Sequence, residues 1–251
     1  MLKAFTQREA IRQDIAGYCR HLMLSQQAVR ICAEEATPRQ EEFLHHILAE
    51  EMASRERSKK ARLLNRAGFP VMKSFDNYEF GCVRLPPSLT KDDLLGCQFI
   101  PQKKNLVLYG PVGIGKTHMA IALGVKACTM GFRVRFHTVT DLVLRLTDAR
   151  RLGNLERLTR ELVQLDMLIL DEWGYVPVDK EGSQLLFRVV ADSYESKSLV
   201  LTTNLEFSKW GGIFTDEQMA AAMIDRLVHH GHLLLFEGES YRMRNALMRQ
   251  T

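Results

Sequence analysis

The chain has 251 residues and a mass of 28.7 kDa, the size of one domain or of one domain with an appendage. Hydrophobic residues at 46% and charged residues at 25% supply enough apolar material for a buried core and exclude a wholly disordered chain. Lys and Arg total 34 against 30 Asp and Glu, a mild surplus of +4, so the placement of the basic residues says more than their number.

No apolar run approaches the ~18 residues that a membrane-spanning helix needs, so no membrane partner is expected. The stretch MLKAFTQREAIRQDIAG is broken by charges and has no signal-peptide apolar core. The five cysteines (Cys19, Cys32, Cys82, Cys97, Cys128) are scattered, odd in number and form no CxxC pair. A disulfide scaffold or a zinc site is therefore not expected, and a reducing cytoplasm is the expected location.

Residues 1–70 read as a helical N-terminal domain. Few breakers interrupt 6–35, and Pro38 behind Thr37 marks a new helix start. From Arg39 an apolar stripe runs through Phe43, Leu44, Ile47, Leu48, Met52 and Ala53 at spacings of three and four. The helix ends in RERSKKARLLNR, positions 55–66, with six basic residues against one acid, and Gly68 and Pro70 stop it. Lys59, Lys60 and Arg62 are its DNA-contact candidates, against the alternative of a solvated helix face. Residues 71–104, with Pro86-Pro87 and Gly96, read as a connector.

Residues 105–251 have the texture of an α/β domain. Five short apolar segments, Asn105–Tyr109, Arg133–His137, Met167–Leu170, Leu199–Thr202 and His232–Phe236, suit strands buried on both faces of a parallel sheet. Helical stretches near 115–130, 139–163, 181–196 and 216–230 alternate with them. That alternation predicts a five-stranded parallel sheet with helices on both faces and ligand chemistry at the carboxyl ends of the strands.

The chemistry starts at Gly110-Pro111-Val112-Gly113-Ile114-Gly115-Lys116-Thr117, which fits G-x-x-x-x-G-K-[ST] directly after an apolar strand and at the start of a helix. Glycines allow successive N–H groups to point at phosphate oxygens, and the helix N-terminus adds its positive end. Lys116 reaches the β- and γ-phosphates in such a loop, and the Thr117 hydroxyl serves Mg²⁺. The strand ending in Asp171-Glu172 supplies the acids: Asp171 for the metal and Glu172 to polarise an attacking water. Asp166, on the same strand, reads as a strand-edge or capping residue. Asn204, after the next strand, either orients the water or γ-phosphate or merely closes a turn. Arg226 is either a surface ion-pair member or a residue that reaches a neighbour's γ-phosphate.

In this order and spacing, GPVGIGKTHMAIALG, LDMLILDEWG, VLTTN and DRLVHHG resemble the IstB/DnaC-like group of AAA+ ATPases, nearest to the IstB helpers of insertion sequences. The resemblance covers most of the chain. It implies an AAA+ P-loop core behind a small helical domain, with ATP and Mg²⁺ as cofactors and ATP hydrolysis as the activity. By position it implies Walker A at Gly110–Thr117, Walker B at Asp171-Glu172, sensor 1 at Asn204 and a trans-acting arginine finger at Arg226.

The resemblance further implies homo-oligomers on duplex DNA and an IstA-like transposase as partner, or else a replicative helicase if the chain is a DnaC-like loader. Relatives use extra helical structure after the second strand on DNA. Here Thr138–Val163 holds Arg145, Arg150, Arg151, Arg157 and Arg160 against Asp141, Asp148, Glu156 and Glu161. Such phosphate contacts carry no base information, so binding without sequence preference is expected. Few residues follow the last strand, so a full helical lid is not expected. Arg242, in Tyr241-Arg242-Met243-Arg244, is the candidate for a sensor-2-like cation. A small-molecule kinase would share the P-loop but usually needs a closing lid.

Overall fold

The computed structural model describes residues 2–76, 78–174, 179–212, 214 and 216–244. The chain divides into two compact units, one up to Ala61 and one from Arg62 onward.

The first unit contains α1 (Leu2–His21), α2 (Gln26–Glu35) and the start of α3 (Pro38–Ala67). Its core is Ile15, Cys19, Leu22 and Leu48, with Leu44 and Met52 packed against it. Pro38 opens α3 with a φ that suits a first turn. Behind it, the Gln40 amide oxygen accepts from both the N–H and the hydroxyl of Thr37. Buried Glu41 accepts from Arg8 at 2.7 Å and from Arg12 at 2.8 Å, so the carboxylate is paired rather than stranded.

The second unit is built on a sheet in the order β1-β6-β2-β5-β4-β3. The strands are β1 (Val83–Arg84), β2 (Asn105–Tyr109), β3 (Val134–Thr138), β4 (Met167–Trp173), β5 (Ser198–Thr203) and β6 (Gly231–Phe236). All five expected strands are present and parallel, and β1 adds a sixth, antiparallel to β6, from the segment read as connector. Two residues are too few to carry a period-two signal, so β1 had no signature of its own.

Helices cover both faces. On one, α5 (Lys116–Thr129) and the segment around α4 (Lys91–Leu95) bury Leu94, Phe99, Met119, Ile121 and Leu123 against Leu106, Leu108 and Ile169. On the other, α6 (Val139–Arg151), α7 (Leu155–Val163), α8 (Lys180–Ser193) and α9 (Glu217–His229) bury Leu142, Leu186, Met223 and Leu227 against Leu168, Leu170 and Leu201. Among the described residues, β6 is followed by one short helix, α10 (Tyr241–Arg244).

The helix expected over 139–163 is two helices. Gly153 takes φ +71°, its N–H donates to the Arg150 carbonyl at 3.2 Å, and the Asn154 N–H donates to the Ala149 carbonyl at 2.7 Å. That bond pair closes α6 at a left-handed glycine, and α7 starts afresh behind Asn154.

Candidate nucleotide site

The loop from Gly110 to Thr117 joins β2 to α5 at the carboxyl edge of the sheet. Gly113 and Gly115 hold φ +81° and +105°, a region that disfavours side chains. A Cβ on Gly113 would crowd the Ser240 side chain, which can turn aside, so glycine is needed there chiefly for conformation. The chain after β6 closes on this turn, with the Tyr241 N–H donating to the Gly113 carbonyl at 3.1 Å.

Beside the loop lies a cavity of about 740 Å³. Its walls include Val112 through His118, Glu172, Thr202, Thr203, Asn204 and Arg242. Pro111, in the same loop, is exposed. Lys116 folds back on its own loop and donates to the carbonyls of Gly110 at 2.7 Å and Pro111 at 2.6 Å. Burial lowers its pKa to about 8; Arg242 acts in the same direction and Asp171 opposes it.

The acid pair sits on an irregularity in β4. Leu170 pairs with Leu201 and Trp173 with Thr203, so β4 takes three steps where β5 takes two. The extra residue is a bulge, which re-aims side chains. Asp171 is buried and accepts from Thr117 Oγ1 at 2.9 Å and from Thr202 Oγ1 at 2.5 Å. Glu172 adopts φ +61°, is exposed and lines the cavity. Thus Lys116, Thr117, Glu172, Asn204 and Arg242 border one space, with Asp171 bonded to Thr117.

Arg226 is not in that wall. On α9 it donates to the Ala222 carbonyl at 3.0 Å and lies 5.2 Å from the Phe187 ring centroid. Four of the five arginines of α6 and α7 have acidic partners: Arg145 with Asp141, Arg150 with Glu181, Arg151 with Asp148 and Arg157 with Glu161. On α3, Lys60 lies 3.7 Å from Glu56, while Lys59 and Arg62 are exposed. Asp166 is a strand-edge residue that accepts from the Arg133 backbone and guanidinium.

The sequence profile of the IstB-like ATP binding proteins matches residues 19–248. The chain belongs to that family. A relative from insertion sequence IS5376 of Geobacillus stearothermophilus is 35% identical over 245 residues, covering 96% of this chain and 98% of the relative. Another, from insertion sequence IS21 of Pseudomonas aeruginosa, is 38% identical over 206 residues, covering 81% and 77%. Among solved structures, DnaI matches at TM-score 0.53 and 15% identity over 72% of this chain and 93% of its own. A DNA replication initiation factor matches at TM-score 0.50 and 16% identity, over 70% and 53%. At those identities the likeness speaks for the fold alone.

Two parts of this family member's site escaped the sequence. The first is the wall made by Val71, Lys73, Tyr78 and Cys82, from the segment read as connector, and by Pro70 just ahead of it. The Tyr78 hydroxyl donates to the Gly115 carbonyl at 3.4 Å, and its ring packs edge-on against Phe75 and Phe80. Burial pushes the Tyr78 phenol well above its ordinary range, so it stays a neutral donor. Four aromatic residues between 69 and 80 were the available signal. The second is the pair Thr202 and Thr203. Their hydroxyls bond the β4 end, Thr203 Oγ1 donating to the Trp173 carbonyl at 2.9 Å.

Proposed function

We propose that this chain hydrolyses Mg²⁺-ATP at Gly110–Thr117 and acts as an oligomer on duplex DNA in support of an insertion-sequence transposase. One observation carries the reading: Lys116, Thr117 and Glu172 line a single cavity, and buried Asp171 is tied to it by the bond from Thr117. Loop N–H groups and the Lys116 ammonium hold the phosphates. Thr117 and Asp171 offer a hydroxyl and a carboxylate, hard oxygen donors of the kind Mg²⁺ takes beside phosphate and water oxygens. A Mg²⁺ held by these two residues would neutralise charge on the phosphates. Glu172 accepts the proton of the attacking water, and Asn204, at the next strand end, orients that water. Arg242 adds a cation to the same wall.

Arg226, absent from its own subunit's cavity, suits delivery to a neighbour's, and this supports the oligomer. The relatives belong to insertion sequences, which supports a transposase partner. For DNA, the α6–α7 segment keeps five arginines against four acids, and the α3 stretch supplies Lys59, Lys60 and Arg62. Phosphate contact from either gives binding without sequence preference.

The deciding experiment compares Lys116→Ala and Glu172→Gln with the parent. Lys116→Ala loses nucleotide binding. Glu172→Gln keeps binding and loses turnover. Equal ATP turnover in Glu172→Gln and the parent would remove Glu172 from the chemistry.

A further inference from the structure

The β4 bulge creates a difficulty that one residue resolves. A bulge leaves a backbone N–H without its ladder partner, and a non-glycine residue at positive φ is strained unless its surroundings hold it. Glu172 has both problems, with φ +61° in the irregular stretch between Leu170 and Trp173. Its N–H donates to Thr202 Oγ1 at 3.0 Å. The same hydroxyl donates its proton to Asp171 Oδ1. A single buried oxygen, on a residue 3% exposed, therefore grips the side chain of the first acid and the backbone of the second. Thr117 also holds Asp171, but on the reading above its hydroxyl turns to the metal once nucleotide binds. Thr202 then remains as the hydroxyl donor to Asp171.

Resting on that reading, we infer that Thr202 is a positioning residue: its hydroxyl fixes Asp171 for the metal and aims Glu172 into the cavity. The proton sits on Thr202 Oγ1 throughout, and no bond to substrate is made. Groups that orient a metal's ligands typically change metal affinity or activity by about 10–100-fold when removed.

The test uses the full chain with a fluorescent ATP analogue and with ATP. Thr202→Val removes the hydroxyl at nearly constant volume; Thr202→Ser keeps it. Thr202→Val should bind the analogue without Mg²⁺ as the parent does, because the P-loop is untouched. Its half-saturating Mg²⁺ concentration for tightened binding should rise about tenfold, and kcat should fall about 10–100-fold with KM little changed. Thr202→Ser should bring both values back toward the parent.

Unchanged Mg²⁺ dependence and kcat in Thr202→Val would overturn the inference, and so would equal losses in the Val and Ser variants. If Thr202→Val does not fold, Thr202→Ala against Thr202→Ser makes the same comparison. Failure of both apolar variants to fold would make the residue structural and remove the positioning role. A parent that binds Mg²⁺-nucleotide without hydrolysing it would instead sink the hydrolysis reading, and the Mg²⁺ titration alone would decide Thr202.

Discussion

Nucleotide affinity should fall as the pH rises from 7 to 9. The perturbation is the state of one amine. Lys116 has a pKa of about 8 before phosphate arrives, lowered by burial and by Arg242. Bound phosphates favour the ammonium and raise that value, so binding draws the lysine back to its charged form. Above pH 8 the free protein has lost the proton and must take one up to bind; affinity therefore falls with rising pH, and below pH 8 this group leaves it flat. With the bound value returned to the ordinary lysine range of about 10.4, linkage gives an affinity at pH 9 roughly tenfold weaker than at pH 7. The phosphates themselves, with a last pKa near 6, are already ionised over most of that range. Calorimetric titration in two buffers of different ionisation enthalpy reads the proton directly, and uptake should be about half a proton per nucleotide at pH 8. Constant affinity from pH 7 to 9 with no proton uptake would refute the reasoning.

Two further outcomes follow from the arginines. Arg226→Ala should bind ATP nearly as the parent does and hydrolyse it far more slowly, since a trans-acting arginine is worth about 10³–10⁵ in rate. Mixing it with Lys116→Ala should recover activity at interfaces that hold both intact halves, and turnover assays across mixing ratios check this. Replacing Arg145, Arg150 and Arg151 with Gln should flatten the slope of log affinity for duplex DNA against log salt. An unchanged slope moves the contact to Lys59, Lys60 or Arg62.

What the sequence disclosed is what lies close together along the chain. Gly110–Thr117 is one continuous turn, and the central strands β2, β4 and β5 each carry an unbroken apolar run, so both were readable without knowing the pairing. The break at Gly153 was local too, a glycine followed by Asn154, yet the stretch 139–163 was read as one helix because its apolar period runs on across the break. Asp171 and Glu172 were readable as acids at a strand end, yet not as members of a bulge, because a bulge exists only relative to the register of β5. Thr202 carried no signal for the same reason: its partners lie some thirty residues away in sequence. The arginines divide along the same line. Arg145 with Asp141 and Arg157 with Glu161 are four apart and foreseeable, whereas Arg150 meets Glu181 only after α6 and α8 pack together.

The aromatic wall around Tyr78 sets where the chain can be cut. A fragment that starts at Lys104 keeps every residue of the G-x-x-x-x-G-K-[ST] signature and five of the six strands. It loses Tyr78 from the Gly115 carbonyl, Val83 and Arg84 from the edge of β6, and Phe99 and Ile100 from the core. Truncation by motif would thus yield a protein with an intact phosphate loop, one side of its cavity open to solvent and a bare sheet edge prone to self-association. The smallest piece that retains the cavity begins ahead of Pro70, and the preceding Ala67 and Gly68, with Phe69 against the face of Gly124, argue for starting earlier still, within the last turns of α3.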